Sequence, residues 1–91
     1  MKLYIVDNLI NKKMDENENF IKITFYEVRI KMNLSAKETE EFLHFARIKL
    51  ENNYYNVYLT GEEYEYNGKK YVVEDNELMC AIKMKKENKN G

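Results

Sequence analysis

His44 is the only side chain in this sequence whose unperturbed pKa lies near neutrality, so acid–base chemistry at pH 7 would have to pass through it. In a helix it sits one turn after Glu40 and close to Glu41, which could orient the imidazole. A general base also needs a nucleophile or a substrate within reach, and the neighbouring residues offer none. Cys80 is the only thiol. It alternates in phase with Leu78 and Ile82, which makes it an inward-facing strand residue, whereas His44 falls on the polar face of its helix. A Cys–His dyad would need those two faces to meet, so no catalytic residue is expected. Asp15-Glu16-Asn17-Glu18-Asn19 begins like an EF-hand loop, with oxygen ligands at positions 1, 3 and 5. The sixth position, which needs Gly, is Phe20, and the twelfth, which needs a bidentate Glu, is Tyr26. A solvated acidic loop without metal is expected there. The sequence has no glycine-rich phosphate loop and no Ser/His/Asp pattern, so neither a cofactor nor enzyme activity is expected.

The elements that must carry these groups are clearest in the C-terminal half. Tyr54 to Met84 reads as an antiparallel β-meander with three tight turns. Asn67-Gly68 is the strongest turn signal, because a two-residue type I′ turn needs φ > 0 at both central positions. It sets Tyr66 against Lys69, Glu65 against Lys70 and Tyr64 against Tyr71. Turns at Thr60-Gly61 and Asp75-Asn76 extend the register, pairing Val57 with Tyr64, Tyr55 with Tyr66, Val73 with Leu78 and Tyr71 with Cys80. The result is one apolar face: Tyr55, Val57, Leu59, Tyr64, Tyr66, Tyr71, Val73, Leu78, Cys80, Ile82 and Met84.

Upstream, Ser35 with Glu38 three residues on forms a capping box. It opens a helix from Ala36 to about Glu51, with Phe42, Leu43, Phe45, Ala46 and Leu50 on one face. Asn52-Asn53 is its expected exit. Phe20 to Met32 reads as extended, but its alternation changes phase at Phe25-Tyr26, where a bulge or bend is expected. Leu3 to Val6 reads as a short strand, and Asn11 to Asn19 as a polar loop. The expected fold class is α+β: an antiparallel sheet of five or six strands with one amphipathic helix across one face. Residues 1–86 form one domain in this reading and 87–91 a frayed tail.

Ninety-one residues suffice for one core, and a single cysteine permits no disulfide framework. With no apolar h-region and no run approaching a membrane span, a cytoplasmic protein is expected. Net charge is −1 with both signs interspersed, which fits neither a strongly basic nucleic-acid binder nor an acidic mimic. Thirteen lysines against two arginines, twelve asparagines and no proline reflect A/T-rich codons, and hence an AT-rich source such as a low-GC bacterium, its phages or plasmids.

On the solvent face of the meander, Tyr58, Val72 and Met79 are expected to lie together, with Glu63 and Lys70 among the surrounding charges. An apolar patch inside a polar rim is the form of a protein-interaction surface. Its partner would be another protein, a host protein or a nuclease complex, or a second copy in a homodimer. Lys83, Lys85 and Lys86, with the sheet tyrosines, supply the alternative of single-stranded nucleic-acid binding by charge and stacking. Small size, composition and the lack of catalytic motifs are similar in kind to accessory proteins of phages and mobile elements. Some of these block host defence nucleases, as anti-CRISPR proteins do. The leading expectation is therefore a small non-catalytic inhibitor that occludes a partner's surface.

Overall fold

The computed structural model describes residues 2–84. The proposed 87–91 tail, together with Lys85 and Lys86, lies outside them. Helix α1 (Leu3–Glu16) leads into strand β1 (Phe20–Thr24), a π-helix (Tyr26–Lys31) and helix α2 (Ala36–Asn52). Four more strands complete the chain: β2 (Tyr55–Leu59), β3 (Glu63–Tyr66), β4 (Lys69–Val72) and β5 (Glu77–Lys83). The fold is α+β, and its strands divide into two sheets rather than one. The larger sheet has the antiparallel order β1-β5-β2; β3 and β4 form a separate two-stranded hairpin. Helices cover one face of the larger sheet, and the hairpin lies over the other.

The N-terminal segment is helical, not a strand and loop. Val6 and Ile10 are fully buried, and Ile5, Leu9 and Met14 pack beside them. These positions recur every three to four residues, a helical period that runs on through the polar stretch to Glu16. The would-be EF-hand stretch is the exit of this helix. Asn17 Oδ1 accepts hydrogen bonds from the N–H groups of Asn19 (3.1 Å) and Phe20 (3.4 Å), turning the chain into β1.

Helix α2 forms as its sequence dictates. The Ser35 hydroxyl accepts from Glu38 N–H at 3.1 Å, while the Glu38 carboxylate accepts from Ser35 N–H at 2.9 Å. Phe42, Ala46 and Leu50 face the sheet and are completely buried, but Phe45 points outward. The Asn53 side chain closes the helix by donating to Lys49 O (2.8 Å), and Tyr54 then takes a left-handed φ of 67°.

The β3–β4 hairpin has the expected register: Glu63 opposite Val72, Tyr64 opposite Tyr71, Glu65 opposite Lys70 and Tyr66 opposite Lys69. Asn67 (φ 53°) and Gly68 (φ 79°) make the turn. The flanking pairings differ from expectation. Strand β2 pairs with β5, setting Tyr55 against Lys83, Val57 against Ala81 and Leu59 against Met79. The other side of β5 pairs with β1. The reason lies in β5 itself, ELMCAIK, whose five central residues are all apolar. Such a run belongs to a central strand buried on both faces. Met79 and Ala81 join Ile21, Ile23, Tyr55 and Val57 in the main core under the helices, while Cys80 lies on the opposite face with Tyr64 and Val73. The single apolar face expected of the meander is thus two faces of two sheets. At the start of β5 the register with β1 shifts, so that Glu77 rather than Leu78 meets Thr24. Leu78 then packs against the main core, and Glu77 pairs with Lys22 at 2.7 Å on the hairpin side. No helix among the described residues is long and apolar enough to cross a membrane.

Candidate protein-binding surface

The expected patch is taken apart by this topology. Met79 is 1% exposed inside the main core, so it is not on a solvent face. Tyr58 is opposite Cys80, on the other side of the sheet from Met79, and its ring lies 5.5 Å from that of Tyr64 beneath the hairpin. Glu63, Lys70 and Val72 do come together on the outer face of the hairpin, all exposed. Lys83 is committed internally: its Nζ donates to Asn53 O at 2.9 Å and sits 4.8 Å from the centre of the Tyr55 ring. His44 is exposed on α2 with its ring edge-on to Phe45, and Cys80 is buried across the sheet from it. The described residues hold no group of three or more His, Cys, Asp or Glu arranged to bind a metal.

A different surface stands out. The phase change at Phe25-Tyr26 marks the end of β1, and the chain continues there as the π-helix rather than as a bent strand. A second capping box starts it. Thr24 Oγ1 accepts from Glu27 N–H at 3.2 Å, and Glu27 Oε1 accepts from Thr24 N–H (3.0 Å) and from the Thr24 hydroxyl (3.1 Å). The motif Thr24-x-x-Glu27 stands in the sequence as plainly as Ser35-x-x-Glu38. It was obscured because Tyr26, Val28, Ile30 and Met32 also alternate like a strand. Glu27 Oε2 forms an ion pair with Lys13 of α1, which fixes the turn against the helix behind it. Met32 N–H bonds Glu27 O at 3.0 Å, the wide i→i+5 step of a π-helix. Asn33, at φ 55°, then releases the chain into the Ser35 cap.

This winding buries Val28 and turns its neighbours outward. Tyr26 is 60% exposed, Ile30 57% and Phe25 41%. The Arg29 guanidinium lies 5.4 Å from the Phe25 ring centre, and its Nε–H donates to Leu34 O at 3.0 Å. The guanidinium is therefore held rigidly beside an aromatic face. Phe25 N–H donates to Asn76 O (3.0 Å), and Thr24, Phe25, Tyr26, Asp75 and Asn76 line an open groove of about 530 Å³. Two aromatics, an isoleucine and an ordered arginine beside a groove are the side-chain types that anchor protein interfaces. π-Helical turns, for their part, are frequent at functional sites. A smaller exposed apolar group, Leu3, Phe45 and Ile48, lies between α1 and α2 beside the Lys49–Asp7 ion pair.

Two carboxylates tie the site to the fold and respond to acid. Burial pushes the Glu27 carboxyl up, but hydrogen bonds from Lys13 and Thr24 and the charge of Lys13 outweigh it, so it stays below its ordinary 4.5. For Glu77, burial is likewise outweighed by Lys22 and the Glu74 N–H. A carboxyl depressed in the folded state contributes stability above its unfolded pKa and loses it as pH falls through the folded value. The urea midpoint should therefore stay nearly level from neutrality to about pH 4.5 and fall below it, and Glu27→Gln should remove part of that fall. A midpoint independent of pH down to about 3 would contradict both assignments.

No family model, no curated protein and no solved structure matches this chain.

Proposed function

We propose that this chain is a non-catalytic protein-binding module that seats the Phe25–Tyr26–Ile30 ridge in a partner protein and acts by covering part of that partner's surface. The observation that carries the proposal is the winding of the π-helix. It holds three large apolar side chains in solvent on a rigid base, when a plain continuation of β1 would have alternated them in and out. Small size and AT-rich composition support a source in a phage or mobile element. In that setting the module inhibits a host defence protein in the host cytoplasm, in the manner of anti-CRISPR proteins.

The test is capture of a partner by immobilised protein from host lysate, with the partner then purified and its affinity measured. Tyr26→Ala combined with Ile30→Glu should weaken the purified complex by at least about tenfold, since anchors of this kind each contribute about 2 kcal/mol. Phe45→Ala combined with Ile48→Glu, in the separate apolar group between α1 and α2, should leave it within about twofold. Unchanged affinity in the first variant, with its circular dichroism intact, would defeat the proposal. So would the failure of wild-type protein to capture anything.

A further inference from the structure

The β3–β4 hairpin is attached to the rest of the molecule unevenly. At its neck the bonding is dense. Gly61 N–H donates to Val73 O (2.8 Å), Val73 N–H to Glu62 O (2.9 Å) and Glu74 N–H to Glu77 Oε1 (2.9 Å), and the Thr60 hydroxyl donates to Glu77 O. Beyond the neck, none of the backbone bonds among the described residues joins residues 63–72 to the larger sheet. What holds the hairpin down is rings. Tyr66 stacks on Phe20 at 4.9 Å, Tyr64 lies 6.1 Å from Phe20 and 5.5 Å from Tyr58, and Tyr64 packs in one buried cluster with Cys80 and Val73. Toward the tip even these give out. An open cleft of about 750 Å³ separates Glu65–Gly68 from Asn56 and Ile82. Strand β4 is exposed along its whole length.

A two-stranded hairpin is marginal by itself, and units with few buried contacts open before the global core does. We infer that residues 63–72 form a hinged arm. It lifts from the sheet as one unit, pivoting at its hydrogen-bonded neck, and uncovers Phe20, Tyr58, Cys80 and Ile82 while the helices and the three-stranded sheet stay folded. The motion bares an apolar face on the opposite side of the sheet from the helices, so it does not depend on the binding role given to the π-helix. Closed, the arm keeps the thiol inert: Cys80 is completely buried, and burial together with the Glu77 carboxylate pushes its pKa up.

Cys80 is the only cysteine, so its alkylation by iodoacetamide, normalised to the rate in unfolded protein, reports the opening directly. Across a urea series at fixed pH, the labelling rate at low urea should depend only weakly on denaturant. It should rise with the steep slope of global unfolding only near the midpoint. Tyr66→Ala should speed low-urea labelling at least about tenfold, the loss of one stacked ring pair, while the helical signal keeps nearly its wild-type midpoint. Ile10→Val, in the main core, should lower the midpoint and leave low-urea labelling within about twofold. Labelling that follows the global slope from zero urea overturns the hinge, as does an Ile10→Val variant whose labelling accelerates in step with its unfolding. A Tyr66→Ala variant that labels at the wild-type rate overturns it as well.

Discussion

Replacing Phe42 by alanine should cost about 3–5 kcal/mol and lower the thermal midpoint by about 15–30 °C. Phe42 is completely buried and lies midway along α2, where the helix crosses the larger sheet. It belongs to the cluster that holds Val6 and Ile10 of α1, Val28 of the π-helix and Met79 of β5. Truncation would remove the transfer free energy of a ring and leave a cavity that rigid neighbours on three elements cannot close. A domain of this size has about 5–15 kcal/mol of stability in all, so the variant should sit at the edge of folding at ambient temperature. A melt followed by circular dichroism measures it directly. A loss under about 1 kcal/mol would mean that α2 does not pack on the sheet through this face.

Glu27→Ala should cost about 2–3 kcal/mol and disorder the exposed Phe25–Tyr26–Ile30 ridge proposed to bind a partner. One carboxylate satisfies the Thr24 N–H and hydroxyl, which start the π-helix, and pairs with Lys13, which anchors the turn to α1. Losing it leaves the half-buried Thr24 N–H without its acceptor and the half-buried Lys13 ammonium with a carbonyl, Lys22 O at 2.9 Å, but no counter-charge, a larger penalty than a missing cap alone. Glu38→Ala breaks the corresponding box at the start of α2, but there the two hydrogen bonds are exposed and the carboxylate forms no ion pair among the described residues. Its effect should be distinctly smaller. Urea titrations of the two variants compare them. The stability assignment fails if the two lose equal amounts, and the link to the site fails if Glu27→Ala leaves partner affinity at the wild-type level.

Local signals proved sufficient wherever a few adjacent residues carried the whole decision. Asn67-Gly68 tolerates the two positive φ values of a type I′ turn, so the hairpin and its three pairs from Tyr66–Lys69 to Tyr64–Tyr71 were legible from residues 64–71 alone, and Glu63–Val72 continues the same register. The Ser35–Glu38 box and the Phe42, Ala46, Leu50 spacing likewise defined α2. The break in alternation at Phe25-Tyr26 located the end of β1, although not the π-helix beyond it. A capping box and a strand-like alternation coexist in residues 24–32, and only packing on α1, through Val28 and the Lys13–Glu27 pair, favours the helical outcome. In α1, the buried Val6 and Ile10 stand among polar residues numerous enough to hide their period.

The amino-acid sequence by itself determined the α+β class, the β3–β4 hairpin and the amphipathic α2, because each depends on contacts within about a dozen neighbouring residues. The tertiary structure decided which strand pairs with β5, and therefore which side chains are solvent-exposed. Met79 was expected at the surface and is buried; Tyr26 and Ile30 were expected in a strand and form an exposed ridge. The physical reason is that backbone pairing is indifferent to sequence distance. β5 lies between residues 20–24 and 55–59 because a run apolar on both faces is buried on both only at the centre of a sheet, with the helices on one side and the hairpin on the other, and no local pattern encodes which segments flank it.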